Sequence, residues 1–151
     1  MPSEVQDFLI RPAETEDLDE IIRLDTQITA TPKPEYWRGI FERMRREGAG
    51  GTFLVAVAGR RLLGFVVGEI RAWEFGSSPC GWVFAIAVQP DQRLRHVGTA
   101  LFEALCALFR EAGATRIRTM LARDAQLVMS FFRSQGMMAG PFIQLEKGLE
   151  E

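Results

Sequence analysis

The sequence predicts a single α/β domain over residues 1–151, with helices flanking a mixed central β-sheet in the order β-α-α-β-β-β-α-β-α-β. Three observations carry this prediction. The run GWVFAIAV at 81–88 is short and rich in β-branched and aromatic residues, the composition of a buried strand. From Val97 the apolar residues Val97, Leu101, Leu105 and Leu108 recur at helical spacing, and Phe102, Cys106 and Phe109 widen that face. Two strand-like runs, 52–58 and 62–73, are joined by Gly59-Arg60, a hairpin signal. Hairpins early and crossover helices later put antiparallel and parallel neighbours in one sheet.

Each element has a local cause. Residues 8–11 (FLIR) form a first strand closed by Pro12. Thr15 is placed as the N-cap of a helix whose first turn carries Glu16 and Asp17, where acids suit the helix dipole. Leu18, Ile21, Ile22 and Leu24 give that helix an apolar face ending near Asp25. A loop at 26–34 with two prolines follows. Pro34 fits the first turn of a second helix through Tyr36, Trp37, Ile40, Phe41 and Met44, ended by the glycines of 48–51. Gly64 and Gly68 mark bulges or close packing within the long strand. After a turn at 75–81, the strand at 81–88 stops at Pro90, which has no N–H for a ladder. A third helix runs to Gly113. Residues 116–121 (RIRTML) form the next strand, and Asp124 is placed as N-cap of a helix with Leu127, Val128, Phe131 and Phe132 on its apolar face, stopped by Gly136. Residues 141–145 supply a last strand.

Composition narrows the function classes. The chain has a net charge of −2 and no run of Lys or Arg, which argues against nucleic acid as a partner. No apolar run reaches membrane-spanning length, and the first residues, MPSEVQDF, lack the apolar core of an export signal. The expectation is a cytoplasmic protein that does not act at a membrane. Two cysteines, Cys80 and Cys106, make no disulfide framework, and one histidine with scattered carboxylates makes no metal constellation.

Between strand and helix, residues 88–101 read VQPDQRLRHVGTAL. The first N–H groups of a helix lack intrahelical acceptors and sit at the positive end of its dipole, so phosphate is favoured there. Gly98 permits close approach of a ligand to the backbone, while Arg93 and Arg95 add charge and donors. The spacing fits neither a Walker loop nor Gly-x-Gly-x-x-Gly.

The stretch resembles the acetyl-CoA signature of the GNAT acetyltransferase superfamily, Val-x-Pro-x-x-Arg/Gln-x-x-Gly-x-Gly/Ala followed by Leu. The matching residues are Val88, Pro90, Arg93, Gly98 and Leu101; His96 stands where the family usually has its first Gly. A second match lies at 124–137. Asp124-Ala125 and Phe131-Phe132-Arg133-Ser134-Gln135-Gly136-Met137 parallel the family's Asp-Asn…Phe-Tyr-x-x-x-Gly-Phe, with Phe132 in place of the Tyr. The resemblance runs end to end and implies the GNAT-like (acyl-CoA N-acyltransferase) fold.

It also implies an N-acetyltransferase that moves an acetyl group from acetyl-CoA to a primary amine of a small molecule or protein, a peptide amine included, by direct attack. Arg93, Leu94, Arg95, His96, Val97, Gly98, Thr99 and Ala100 would hold the pyrophosphate. Ile86, Ala87 and Val88 would pair with the pantetheine arm, with Phe131 and Phe132 also at the cofactor. A backbone N–H near Ala87 or Val88 would polarise the thioester carbonyl. Tyr36 and Trp37 would line the acceptor pocket, or Trp37 would pack the core. A lysine-like amine has a pKa of about 10.4, so a base or a water path must take its proton. The strand at 82–88 has no Asp, Glu or His; Glu69 and Glu74 are the candidate bases. His96 lies a whole pantetheine arm from the chemistry and reads as a phosphate contact or a turn residue. Cys80 has no cationic neighbour in sequence to activate it. The family resemblance allows a homodimer. A CoA-binding module without transferase activity is the rival reading.

Overall fold

The computed structural model describes residues 7–46 and 50–150, Leu94 through its backbone alone, so the helix stop expected at 48–51 falls partly outside them. The chain divides into two compact units, Met1–Met120 and Leu121–Glu151. In the first, the elements are β1 (Leu9–Pro12), α1 (Leu18–Thr29), α2 (Pro34–Met44), β2 (Gly51–Ala58), β3 (Arg61–Arg71), β4 (Cys80–Val88), α3 (Val97–Glu111) and β5 (Ile117–Arg118). They build one sheet in the order β1-β2-β3-β4-β5, antiparallel as far as β4 and parallel between β4 and β5. The mixed sheet is the one the sequence predicts. No helix among the described residues is long and apolar enough to cross a membrane.

The entry to α1 differs from the expected Thr15 cap. Residues Thr15–Asp17 form a 3-10 turn closed by a capping box between Glu14 and Asp17. Arg11, on β1, grips both Asp17 oxygens at 2.7 and 3.0 Å and so ties the first strand to the helix. Burial alone would lift the Asp17 carboxyl. The Arg11 hydrogen bond, the Glu14 N–H and the Arg11 charge outweigh it and hold the group below its ordinary 3.8. A depressed carboxyl stabilises the fold at pH above its unfolded value, and that contribution fades as pH falls through the folded value. Asp17→Asn should therefore lower the melting temperature at pH 7, with the gap to the parent closing as melts are taken towards pH 3.

Helix α1 runs a full turn past Asp25, where its apolar face was expected to end, and stops at Ala30 in a left-handed conformation. Asp25 lies on the same buried stripe as Ile21 and Leu24. It can do so because Trp37 Nε1 and Lys33 Nζ both reach Oδ2, each at 2.9 Å. A carboxylate with two donors survives burial where an unpaired one would not.

The sheet carries a core on each face. On one, Ile21, Leu24, Trp37, Ile40, Phe41 and Met44 pack on Phe53, Val55, Phe65 and Val67; the Trp37 and Phe65 rings meet edge-on at 5.1 Å. On the other lies α3, with Val97, Leu101, Leu105 and Phe109 buried. Its close approach depends on missing side chains. A Cβ on Gly64 would sit 2.6 Å from the Ala87 carbonyl oxygen and 3.2 Å from Leu101 Cδ1, and one on Gly81 would overlap the Phe109 ring.

Two expected strands change. The strand at 116–121 shrinks to Ile117–Arg118, because its register with β4 holds only Gly81 to Ile117 and Trp82 to Arg118. The strand expected at 141–145 does not form; residues 137–150 contain neither helix nor strand. In the second unit, α4 spans Gln126–Ser134 with Ala125, not Asp124, at its N-cap. Phe132 is buried, whereas Leu127 and Val128 are exposed, so the apolar face is narrower than the sequence suggested. Gly136 closes α4 at φ 90°, with the Met137 N–H returning to the Phe132 carbonyl.

Candidate active site

The site is built on β4. The Gln89 N–H donates to the Leu63 carbonyl, so Gln89 faces β3. Strand alternation then turns the N–H and C=O groups of Val88 and Ile86 to the opposite edge. That edge belongs to β5 only at Gly81 and Trp82. Thr119 Oγ1 still reaches the Val83 carbonyl at 3.0 Å, after which the two strands part. The backbone from Ile86 to Val88 is therefore a strand edge without a ladder partner among the described residues.

A bulge interrupts β4 just ahead of this edge. Val67 pairs with Ala85 and Gly68 with Val83, leaving Phe84 as an extra residue. An extra residue bends the strand and re-aims the backbone polar groups around it. The Gly68 flagged in the sequence sits opposite it, where a Cβ would overlap the Trp82 carbonyl oxygen.

At the other end of the edge, Pro90–Arg95 forms a 3-10 turn, not an open loop, and leads into α3. The first intrahelical bond joins the Ala100 N–H to the His96 carbonyl, so the N–H groups of Val97 and Gly98 precede the helical ladder. Arg93 and Arg95 are exposed beside them. Val97 is fully buried, which leaves only its backbone to meet a ligand. Arg61 holds Asp91 through two 2.9 Å bonds, fixing the turn to the start of β3, and this hydrogen bond draws the Asp91 carboxyl below its ordinary 3.8.

His96 has φ 63° and ψ 20°, the left-handed region. This gives its departure from the glycine of the family pattern a physical meaning: the backbone there takes the conformation glycine adopts freely, and a side chain pays a penalty. His96→Gly should raise stability by about 0.5–1 kcal/mol, read as a later urea midpoint. An earlier midpoint would show that the imidazole makes a stabilising contact.

Glu69, at the end of β3, is the better placed of the two candidate bases. It lies opposite Trp82 in the register, two residues along β4 from the bulge. Its carboxylate meets Arg43 of α2 at 3.1 Å and Arg71 at 3.4 Å. The Arg43 guanidinium also lies 5.6 Å from the centre of the Phe84 ring, which joins Glu69 to the bulge. Glu74 is out on the β3–β4 turn, exposed and bound to Arg71 at 2.5 Å. Trp37 is a core residue on Asp25, while Tyr36 beside it is half exposed. Cys80 does have a cationic neighbour, against the sequence expectation, since Arg118 reaches its sulfur at 3.4 Å; the thiol is nonetheless buried. Cys106 is half-buried in α3, and burial pushes its thiol up from 9.0.

Arg43 and Phe84 were not singled out in the sequence. Phe84 looked like one more apolar strand residue, and the polar side of α2 gives no sign of which arginine will face the sheet. A depression of about 230 Å³ lined by Pro12, Ala13, Phe41, Met44, Phe53 and Leu108 includes neither Arg43 nor Phe84 in its wall.

Known proteins share this plan. A curated relative, the L-2,4-diaminobutyric acid acetyltransferase of Nocardia farcinica (strain IFM 10152), is 31% identical over 90 residues, covering 60% of this chain and 45% of that protein. The chain thus aligns with less than half of that relative's length. An aminoglycoside N-acetyltransferase, AAC(6')-Iy, solved in complex with CoA, superposes with a TM-score of 0.80 at 16% identity, covering 94% of this chain and 95% of that one. A protein described as a transcriptional regulator from Bacillus halodurans C-125 gives 0.78 at 15% identity over 94% and 99%. At those identities the superpositions speak for the fold alone. The sequence profile of the Acetyltransferase (GNAT) family matches residues 15–137, from the turn that opens α1 to the glycine stop of α4, and the chain belongs to that family.

Proposed function

We propose that the chain is an acetyl-CoA-dependent N-acetyltransferase acting on a primary amine of a small molecule or peptide by direct attack. The observation that carries the reading is the parting of β4 from β5. It leaves one run of unladdered backbone leading from the α3 N-terminus to the bulge at Phe84. A phosphate-bearing cosubstrate with an amide-containing arm fits such a run: anion at the helix end, amides along the strand edge. Acetyl-CoA supplies the acetyl group as a thioester when bound.

The residues of the chain then have separate tasks. The backbone N–H groups of Val97 and Gly98 and the guanidinium groups of Arg93 and Arg95 hold phosphate. Ile86 and Val88 pair with the arm, and the re-aimed N–H groups beside the bulge face the carbonyl to be polarised. Glu69 accepts the acceptor's proton, directly or through water. Arg43 and Arg71 orient its carboxylate. Phe132 cannot donate a proton as a tyrosine would, and a thiolate, with a thiol pKa near 8.5, leaves without full protonation. The matched relatives are named for diaminobutyric acid and aminoglycosides, and both classes carry primary amines.

The test is release of free thiol from acetyl-CoA with a panel containing L-2,4-diaminobutyrate, aminoglycosides, polyamines and peptide N-termini. Turnover with at least one amine, and CoA affinity reduced in Arg93→Ala, is the expected result. Saturable CoA binding without thiol release across the panel would mark a binding module instead.

A further inference from the structure

Around Glu69 the charges alternate along a line. Arg43 Nη2 lies 3.1 Å from Glu69 Oε1, Arg71 Nη1 lies 3.4 Å from the same oxygen, and Arg71 Nε donates to Glu74 at 2.5 Å. The outer end of this chain is the exposed Glu74. The inner end is Arg43, whose guanidinium stands 5.6 Å from the centre of the Phe84 ring at the bulge. Arg71 is shared between two acids, whereas Arg43 has one. The charge set over the bulge residue is therefore positive.

Arg43 is held in place without its donors being used up. A guanidinium carries five N–H donors in a planar fork. Among the described residues Arg43 donates one hydrogen bond, to Glu69. Its side chain is 45% exposed, while that of Glu69 beside it is only 13% exposed. An oriented, half-exposed guanidinium with donors to spare is what a two-pronged grip on a carboxylate needs. Trp82 lies opposite Glu69 in the ladder, hence on the same face of the sheet, and is half-buried. The rings of Trp82 and Phe84 thus accompany one cation and one acid.

We propose that Arg43 determines acceptor specificity and that the acceptor is a free amino acid. Its carboxylate sits on the Arg43 guanidinium and its reacting amine at Glu69 and the bulge. The inference rests on the acetyl-transfer reading for the place of that amine. Arg43 and Glu69 touch, so the amine and carboxylate they receive must stand only a few bonds apart. A polyamine or an aminoglycoside brings further ammonium groups to a guanidinium, a like-charge contact that rejects it. A phosphate dianion would find a single cation already shared with Glu69, which suits the single charge of a carboxylate better.

The experiment is calorimetric titration of the CoA-saturated protein with amino acids and their decarboxylated counterparts. The pairs are L-2,4-diaminobutyrate with 1,3-diaminopropane, L-ornithine with putrescine, and L-lysine with cadaverine. At least one amino acid should bind about ten to a hundred times more tightly than its counterpart, the factor that a hydrogen bond to a charged group supplies. Arg43→Gln should bring that ratio close to unity, and Arg43→Lys should keep part of it. A purely structural role for Arg43 would weaken both members of a pair alike and leave the ratio unchanged. An unchanged ratio in Arg43→Gln, with its melting transition retained, therefore overturns the proposal. So does a parent protein that binds the diamines as tightly as the amino acids, binds neither, or prefers an aminoglycoside or glucosamine 6-phosphate to every amino acid. The expected ratios without thiol release from acetyl-CoA would support the amino-acid site and count against the acetyl-transfer reading alone.

Discussion

Glu69→Gln should lower kcat at pH 7 by about a hundredfold, the lower end of the 10²–10⁴ range typical of general acid–base catalysis. The argument begins with the acceptor. A lysine-like amine with a pKa of about 10.4 is almost wholly protonated at pH 7, so a group that removes the proton governs the rate. Glu69 is the carboxylate joined to the bulge, through Arg43 and the Phe84 ring. Gln keeps its size and one acceptor oxygen but cannot take a proton. The deficit should shrink as pH rises towards 10, because more of the amine then arrives already neutral. That trend separates a base from an anchor. A deficit of constant size from pH 7 to 10, or one reproduced by Arg43→Ala alone, would show that the carboxylate only positions α2.

Gly68→Ala should destabilise the fold by about 3 kcal/mol, the upper end of the usual cost of overpacking. The new methyl would overlap the Trp82 carbonyl oxygen and stand 3.1 Å from Phe109 Cζ. A carbonyl in the β3–β4 ladder cannot swing away without breaking the register at the bulge, so relief must come from separating the strands. The same substitution at Gly39, in α2 with nothing within 4 Å of the added atom, should instead stabilise by about 0.5–1 kcal/mol through helix propensity. Urea midpoints of the two variants, read against the parent, give the comparison. Equal shifts would mean that the sheet yields at the bulge and that close packing there is not required.

The order of elements along the chain, the hairpin and the three main helices could be read from periodicity because each is written into a run of local residues. Pro34 opens α2 and Gly113 follows α3 as the residue types require. What escaped the reading depends on partners distant in sequence. Asp25 looked like a helix stop because nothing near it announces that Trp37 and Lys33 will satisfy it. The run 116–121 has strand composition throughout, but its length in the sheet is set by where β4 turns away, a property of the bulge at Phe84. Arg43 shows the same limit within the site: a helix sequence tells which residues avoid the core, not which of them will cross to a carboxylate on another element. The turn between β4 and α3 was legible as a break in the ladder at Pro90 and a helix start at Val97, since both signals are local, while its 3-10 form and the left-handed His96 were not.

The order of the strands in space equals their order in the chain, and this has a consequence for how the molecule assembles. No strand from β1 to β5 is inserted between two that precede it, and β2, β3 and β4 follow one another closely in the chain, so that part can zip from one neighbour to the next at low contact order. β1 and β5 each pair across intervening helices. β5 must return across α3 to make a parallel pairing two residues long. Such a strand joins late and opens first, a sub-global fluctuation well below the free energy of complete unfolding. Amides at 117–119 should then exchange with solvent far sooner than those of β2 and β3, and this short strand would breathe on its own while the rest of the sheet stays closed.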